Sequence, residues 1–255
     1  MENNNNIHKI ELDNKIITLI GTAHVSKKSA EDVYEVVNEL NPDIIGIELD
    51  DKRYKAIISD KIKKDLNLED IINSIYEGKL LERIFTYILS IPQNRLSEKF
   101  NIKPGAEMLK GIELAKEKGI ELLLLDRDAS ITISRLINAI PIWVMPLLSI
   151  SAIFSIFTIE FISESDIEKL RTGEELEKFT EMASQYFPEL KKVLIDERDK
   201  IIAKNILENP ANSIVAILGA GHIKGVKKYL KEGIDGINFD EINSIPEFNP
   251  FKNIF

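Results

Sequence analysis

Four short apolar runs, separated by stretches with helical spacing, constrain the fold of this chain more than any other feature. Three of them consist almost entirely of Ile, Leu and Val, a composition typical of strands buried on both faces of a sheet. Between them, apolar residues are spaced for helices over 29–40 and 105–118, and Gly119 is a suitable stop for the second. Strands that alternate with helices predict the α/β class, with a mainly parallel central sheet and helices on both faces. The predicted strands are residues 15–20, 43–49, 121–125 and 213–218.

The segments between the predicted strands differ greatly in length. Residues 53–103 and 131–188 have helical patterns and no clear strand, so we interpret them as helical insertions that form a cap over the sheet. A chain of 255 residues is long enough to bury one large core. We therefore expect a single domain over residues 1–255. Its core would comprise residues 8–52, 104–130 and 189–243.

Charge and cysteine content exclude several functions. The net charge of −9 argues against a nucleic-acid partner, because phosphate binding requires clustered Lys and Arg. The chain has no cysteine, which excludes disulfides, thiolate metal ligands and a cysteine nucleophile. A bound metal would therefore need His, carboxylate or carbonyl ligands. The sequence contains neither the HExxH motif of common zinc peptidases nor the GxSxG motif of serine hydrolases.

Polar residues follow each predicted strand. The first strand leads into Gly21-Thr22-Ala23-His24 and the fourth into Gly219-Ala220-Gly221-His222, so two of the three histidines share one local setting. Glu48 ends the second strand, and Asp126-Arg127-Asp128 follows the third. Because open parallel sheets bind ligands beyond the carboxyl ends of their strands, we expect these side chains to meet at one edge. Each histidine could also simply cap a helix or pack in the core. Residues 50–52 have the pattern of solvated surface.

Glu197 is a further candidate carboxylate, within the predicted helix 189–209. At 100° per residue it falls on the same stripe as Leu190, Leu194 and Ile201. Burying a carboxylate is costly unless a cation or a metal pairs with it. Two interpretations are open: a salt bridge to a neighbouring arginine, or a place in a functional site.

The motifs together resemble the TraB/PrgY family of pheromone-shutdown proteins and, through it, the TIKI metalloproteases. The resemblance implies the α/β fold of the erythromycin-esterase and ChaN-like proteins, with helical additions. It covers most of the chain and rests on GTAHVSKKS (21–29), PDIIGIELDDKRY (42–54), LLLLDRD (122–128), the Glu-Arg-Asp at 197–199 and AILGAGHIKGV (216–226).

The resemblance also implies a divalent metal held by the two Gly-x-x-His motifs, with Mn, Co or Zn left open. One of Glu48 and Glu197 would be a ligand and the other a general base, and we favour Glu48 as the ligand. Arg53 or Arg198 would stabilise an oxyanion. The implied metal ligands are His24, Glu48 and His222, and the implied catalytic residues are Glu197, Arg53 and Arg198.

A metal-dependent hydrolase is the function that the resemblance implies, most directly a peptidase acting on peptides or proteins. The alternative is a non-catalytic module that binds or sequesters a peptide or another ligand, since pheromone shutdown can work by sequestration as well as by cleavage. We expect a cytoplasmic location, because the N-terminus lacks a signal-peptide core. Family members often continue into membrane helices after the second Gly-x-x-His, so any membrane association would come through a C-terminal segment missing from this sequence.

Residues 136–159 contain no charged side chain and form a segment long enough to cross a bilayer. Pro141 and Pro146 interrupt it. A single crossing would place His24 and His222 on opposite sides of the membrane, so a span and a shared site exclude each other. We therefore interpret the segment as part of a buried cap or of a homodimer interface. Contact with a membrane surface and a true span are the alternatives.

Overall fold

A computed structural model gives the fold over most of the chain. It describes residues 6–12, 14–23, 27–59, 79–101, 103, 105–140 and 188–247, together with residues 74, 159, 163, 165, 166, 181 and 185.

A five-stranded sheet forms the centre of the described structure. Its strands run in the order β1-β2-β5-β3-β4, where β2, β5, β3 and β4 are parallel and β1 is antiparallel to β2. The predicted α/β class with a mainly parallel sheet is confirmed. The strands are β1 (Ile7–Leu12), β2 (Lys15–Thr22), β3 (Ile44–Ile47), β4 (Glu121–Leu124) and β5 (Ser213–Gly219).

Helices follow the parallel strands, as the sequence pattern predicts. A π-helical turn, Lys192–Asp196, joins two of them. The helices are α1 (Lys27–Leu40), α2 (Asp51–Ile58), α3 (Leu80–Phe100), α4 (Ala106–Lys118), α5 (Ala129–Ala139), α6 (Pro188–Lys191), α7 (Glu197–Glu208), α8 (Ala220–Glu232) and α9 (Phe239–Ile242).

Strand β1 is absent from the sequence prediction. Its sequence, IHKIEL, mixes apolar and polar residues, and within it Ile10 is buried whereas Lys9 and Glu11 form an exposed ion pair. As an edge strand with one solvated face, it lacks the continuous apolar run by which the other strands are recognised.

The two faces of the sheet are covered by different helices. On one face, α1 and α4 pack against the sheet through residues such as Val33, Val37 and Met108. On the other, α7 and α8 pack through residues such as Ile202 and Val226. This burial on both faces explains why β2, β3 and β5 are nearly continuous in apolar residues.

A smaller core lies beside the sheet, between α3, α5 and the π-helical turn. It contains Phe85, Leu136, Ile137, Ile140 and Val193. The described parts of the predicted insertions are thus helical and packed. Residues 141–158, most of the uncharged segment 136–159, lie outside the described residues, so its role in a dimer or at a membrane surface stays a prediction. Within the described ranges, the structure contains no helix with the length and apolar character needed to cross a membrane.

Helix α4 approaches the sheet most closely at Gly111. A Cβ atom there would lie 2.5 Å from Ile217 Cδ1 and 3.4 Å from Ile47 Cγ2. The contact places α4 directly on β5 and β3, two of the strands that lead to the polar edge described below.

We expect Gly111→Val to lower the free energy of unfolding by about 1–3 kcal/mol, because a branched side chain overpacks the contact with Ile217. Ile217→Val removes the nearest atom and alone should cost about 0.5–1.5 kcal/mol. The double variant should lose less than the sum of the two, as measured by chemical denaturation. Lys116→Val, on the exposed face of the same helix, is the control and should change stability by at most about 0.5 kcal/mol. Strict additivity would contradict this account of the contact.

Candidate functional site

Polar side chains gather beyond the carboxyl ends of the parallel strands. β3 ends directly before Glu48, β4 shortly before Asp126, and β5 at Gly219, where α8 begins. The start of α2 supplies Asp50 and Arg53, α7 supplies Arg198 and Asp199, and α8 supplies His222. We name this group the strand-end cluster; it comprises Glu48, Asp50, Arg53, Asp126, Arg198, Asp199 and His222.

Glu48 lies at the centre of the cluster and is 5% exposed. Its Oε2 accepts a hydrogen bond of 2.6 Å from the backbone N–H of Gly219. Its Oε1 accepts a hydrogen bond from Arg198 Nη2 and lies 3.3 Å from His222 Nε2. Glu48 therefore connects β3 to both α7 and α8.

His222 is held from both sides of its ring. Nδ1 lies 2.6 Å from Asp199 Oδ1, and Nε2 faces Glu48. Burial by itself would lower the pKa of His222, but the charge of Glu48 and the hydrogen bond to Asp199 outweigh it and raise this pKa to about 9. At neutral pH the ring is therefore protonated, and it donates hydrogen bonds to both carboxylates. Burial raises the pKa of Asp199 to about 6, although the contact with His222 opposes the change.

Asp126 joins the two arginines of the cluster. Its Oδ2 lies 2.7 Å from Arg198 Nη2 and 2.5 Å from Arg53 Nη2. Burial would raise the pKa of Asp126, but Arg198 and Arg53 together hold it below its usual value, so Asp126 is ionised. The Arg198 side chain is 14% exposed and that of Arg53 is 36% exposed. Of the two arginine side chains, that of Arg53 is therefore the more exposed.

Asp50 fixes the position of Arg53. Its Oδ1 accepts hydrogen bonds from the backbone N–H groups of Lys52 and Arg53 at the start of α2, and its Oδ2 lies 2.5 Å from Arg53 Nε. The interpretation of Asp50 as solvated surface is wrong, because the residue is 5% exposed. The burial of Asp50, the N-cap of α2, becomes evident only when the position of α2 at the carboxyl end of the sheet is known.

Carboxylates outnumber guanidinium groups in the strand-end cluster. Four carboxylates face two guanidinium groups, so two negative charges are left over when His222 is neutral and every carboxylate is ionised. The protonated His222 offsets part of this excess. The described residues contain no group of three or more His, Cys, Asp or Glu side chains arranged to hold a metal. They do supply two converging donors, His222 Nε2 and Glu48 Oε1, and their chemistry fits a divalent cation.

Glu197 lies apart from this cluster. Its Oε2 accepts hydrogen bonds of 2.9 Å from Arg127 Nη1 and from Arg135 Nε, and its Oε1 accepts one of 2.8 Å from Arg135 Nη2. The side chain is 1% exposed. Glu197 therefore makes the salt bridge to arginine that was one of its two interpretations. A buried carboxylate with both oxygens bonded to arginine is poorly placed to act as a general base. Burial would raise the pKa of Glu197, but the two arginines lower it.

The helical stripe that predicts a buried Glu197 holds across the π-helical turn before α7. Leu190 and Leu194 pack against the smaller core, to which α5 contributes, and Glu197 bonds Arg135 of α5. The turn also offers backbone carbonyls to arginines: Val193 O accepts from Arg127 Nη2 at 3.1 Å.

His24 lies outside the described residues, so its place in the site stays a prediction. The strands that precede the two histidine motifs are neighbours, because β2 pairs with β5 and Thr22 is opposite Gly219. Both motifs therefore leave the sheet at the same edge. Asp199 was not assigned a role from the sequence. The signal that could have indicated it is Gly225, a glycine in the interior of α8, where glycine is unfavourable unless another group needs the space.

A model of the TraB/PrgY/gumN family matches residues 6–233. The chain belongs to the TraB/PrgY/gumN family. The matched range contains both Gly-x-x-His motifs and every member of the strand-end cluster.

Relatives of this TraB/PrgY/gumN chain occur in archaea and mammals. An uncharacterized protein of Methanocaldococcus jannaschii is 38% identical over 234 residues, which cover 88% of this chain and 55% of that protein. The TraB domain-containing proteins of Mus musculus and Homo sapiens are each 25% identical over 257 residues, covering 92% of this chain and 67% of theirs. The chain thus spans little more than half of the archaeal relative's length.

We expect Glu197→Gln to lower the free energy of unfolding by about 3–5 kcal/mol, because it leaves Arg127 as a buried charge without its ionised partner. Chemical denaturation measures the loss. Glu189→Gln is the matched control, since its ion pair with Lys192 in the preceding helix is exposed and should contribute at most about 1 kcal/mol. Equal losses in the two variants would contradict a structural role for Glu197.

The same carboxylate predicts a pH dependence of stability. Its pKa is lowered in the folded protein from the usual 4.5, so its contribution is complete above that pH and is lost as the pH falls through the lowered value. Between about pH 7 and about pH 3, the free energy of unfolding should therefore fall more steeply in the unmodified protein than in Glu197→Gln. Parallel curves in denaturation series would show that Glu197 does not titrate as an ion-paired group.

Proposed function

We propose that this TraB/PrgY/gumN protein is a metal-dependent hydrolase that acts on peptides or proteins, with a divalent metal held by His24, Glu48 and His222. One observation carries the proposal. His222 Nε2 and Glu48 Oε1 converge to 3.3 Å inside a buried cluster whose carboxylates outnumber its guanidinium groups.

The geometry of these two donors supports a metal-binding role. Ligand atoms about 2.0–2.1 Å from a tetrahedral zinc ion lie about 3.3 Å from one another, which matches their separation here. Ligating histidines commonly donate their second ring N–H to a carboxylate, as His222 Nδ1 does to Asp199. Imidazole and carboxylate ligands without a thiolate suit Mn, Co or Zn.

The side chains around these donors fit hydrolytic chemistry. A divalent cation in such a site lowers the pKa of water and polarises a carbonyl group. Arg53, the more exposed arginine, would stabilise negative charge that develops on the substrate oxygen. Arg198 would keep Glu48 and Asp126 in place, since it donates hydrogen bonds to both. We give Glu197 a structural role in this proposal, because both of its oxygens are bonded to arginines.

A binding module without turnover is the second candidate. It is favoured by the contacts of Glu48, whose Oε1 already meets a guanidinium group and a protonated imidazole. A cluster balanced in this way could present Arg53 to a peptide or another ligand without a metal.

Metal content is the first test. The purified protein should contain a stoichiometric divalent metal, and about hundredfold excess of Mn²⁺, Co²⁺ or Zn²⁺ over Kd should raise the melting temperature of the metal-free protein by about 5–10 °C. His24→Ala and His222→Ala should each abolish the shift. His8→Ala is the matched control, because the third histidine lies in β1 and its polar contact is Lys227, which is not a member of the cluster, so its removal should leave the shift intact. Shifts of equal size in all three variants would contradict the proposed ligands.

Glu48→Gln distinguishes the roles still open. If Glu48 is a metal ligand, the variant should lose both metal affinity and peptide hydrolysis. As a base, it should leave metal affinity unchanged and remove turnover. If the protein is a binding module, neither the unmodified protein nor Glu48→Gln should cleave a mixed peptide pool in the presence of metal. Peptide binding without cleavage by the unmodified protein would identify this function.

A further inference from the structure

The orientation of the His222 ring depends on two contacts on opposite sides. Nε2 points to Glu48 and Nδ1 to Asp199, which lies on a different helix. One hydrogen bond would leave the ring free to turn about that contact, whereas two define its plane. Among the described residues, the carboxylate that makes the second contact is that of Asp199, whose Oδ1 lies 2.6 Å from His222 Nδ1.

Asp199 fits against α8 only because residue 225 is glycine. A Cβ at Gly225 would lie 1.8 Å from Asp199 Oδ2 and 2.7 Å from Asp199 Cγ. No side chain larger than hydrogen can occupy this point without moving the carboxylate. Gly225 stands one helical turn after His222, so the helix that carries the histidine also carries the space for its partner.

We infer that Asp199 is the positioning residue of His222, seated by Gly225, and that it turns the ring so that Nε2 faces Glu48. The inference deepens the proposed function, on which its consequence for metal affinity rests. The structural part of the inference, the orientation of the His222 ring, does not depend on the metal.

Asp199 follows two charged residues that have other partners. Glu197 is bonded to Arg127 and Arg135, and Arg198 to Glu48 and Asp126. Asp199 itself makes its ion pair with His222, and both side chains are at most 8% exposed. A carboxylate that served only the stability of α7 would not need a space cleared for it on α8.

Nuclear magnetic resonance of the metal-free protein tests the orientation directly. With ¹⁵N-labelled histidine, the chain gives signals from three residues, which His8→Gln and His24→Gln assign. His222 should show an Nδ1–H proton that exchanges slowly with water. Asp199→Asn keeps an acceptor and should retain this proton with faster exchange, whereas Asp199→Ala and Gly225→Ala should lose it. Persistence of the slow proton in both alanine variants would overturn the inference.

Metal affinity provides the second readout. Asp199→Ala and Gly225→Ala should weaken Co²⁺ or Zn²⁺ binding about 10- to 100-fold, as expected for loss of a carboxylate behind a ligating histidine. Two controls leave the contact intact: Asp196→Asn removes a partly exposed carboxylate just before α7, and Lys228→Ala changes an exposed position of α8. Equal weakening in the controls would overturn the specific role of Asp199.

The two readouts separate this inference from the proposed function. If the unmodified protein binds no metal, the proposed function fails, and the Nδ1–H signal still decides whether Asp199 orients His222. If Gly225→Ala folds poorly, the double variant Asp199→Ala, Gly225→Ala removes the steric conflict and should recover folding without recovering the slow proton. A double variant no better folded than Gly225→Ala would show that Asp199 is not what the glycine accommodates.

Discussion

Glu48 is the side chain on which the arrangement of the polar edge depends. One of its oxygens accepts the backbone N–H of Gly219, and the other meets Arg198 and His222. A buried carboxylate of this kind is tolerated only while its donors are in place, because each lost partner leaves an uncompensated charge. A single side chain thereby holds the end of β3, the start of α8 and the start of α7 in one relative position.

Helix α7 can serve several parts of the molecule because its first three residues point in different directions. Successive residues of a helix are about 100° apart, so Glu197, Arg198 and Asp199 face α5, the strand ends and α8 respectively. Charged groups normally keep to one solvated face of a helix. Here each finds an oppositely charged partner, which offsets the desolvation of burying three charges in sequence.

The balance of charge in the strand-end cluster also suggests how it could change state. In the metal-free protein, a protonated His222 compensates part of the excess negative charge, and its pKa of about 9 reflects that. A divalent cation would need the unprotonated Nε2, so proton and cation would compete for the same atom. Under the proposed function, the proton on His222 and the cation would be two alternative ways to balance the carboxylates of the cluster.

The sequence by itself determined the sheet and its polar edge. Strands that are buried on both faces must be apolar along their length, so polar side chains can occur only beyond the strand ends. It also indicated Glu48, Arg53, Arg198 and His222, since each follows such a strand or belongs to a family motif. Only the tertiary structure decided which carboxylate of the Glu-Arg-Asp motif faces the histidine. That choice depends on how α7 packs between its neighbours, which turns Asp199 toward α8, and on the space at Gly225, and both are properties of packing between separate helices. The edge strand β1 and the burial of Asp50 escaped prediction for the same reason, because neighbouring elements and not local sequence exclude water from them.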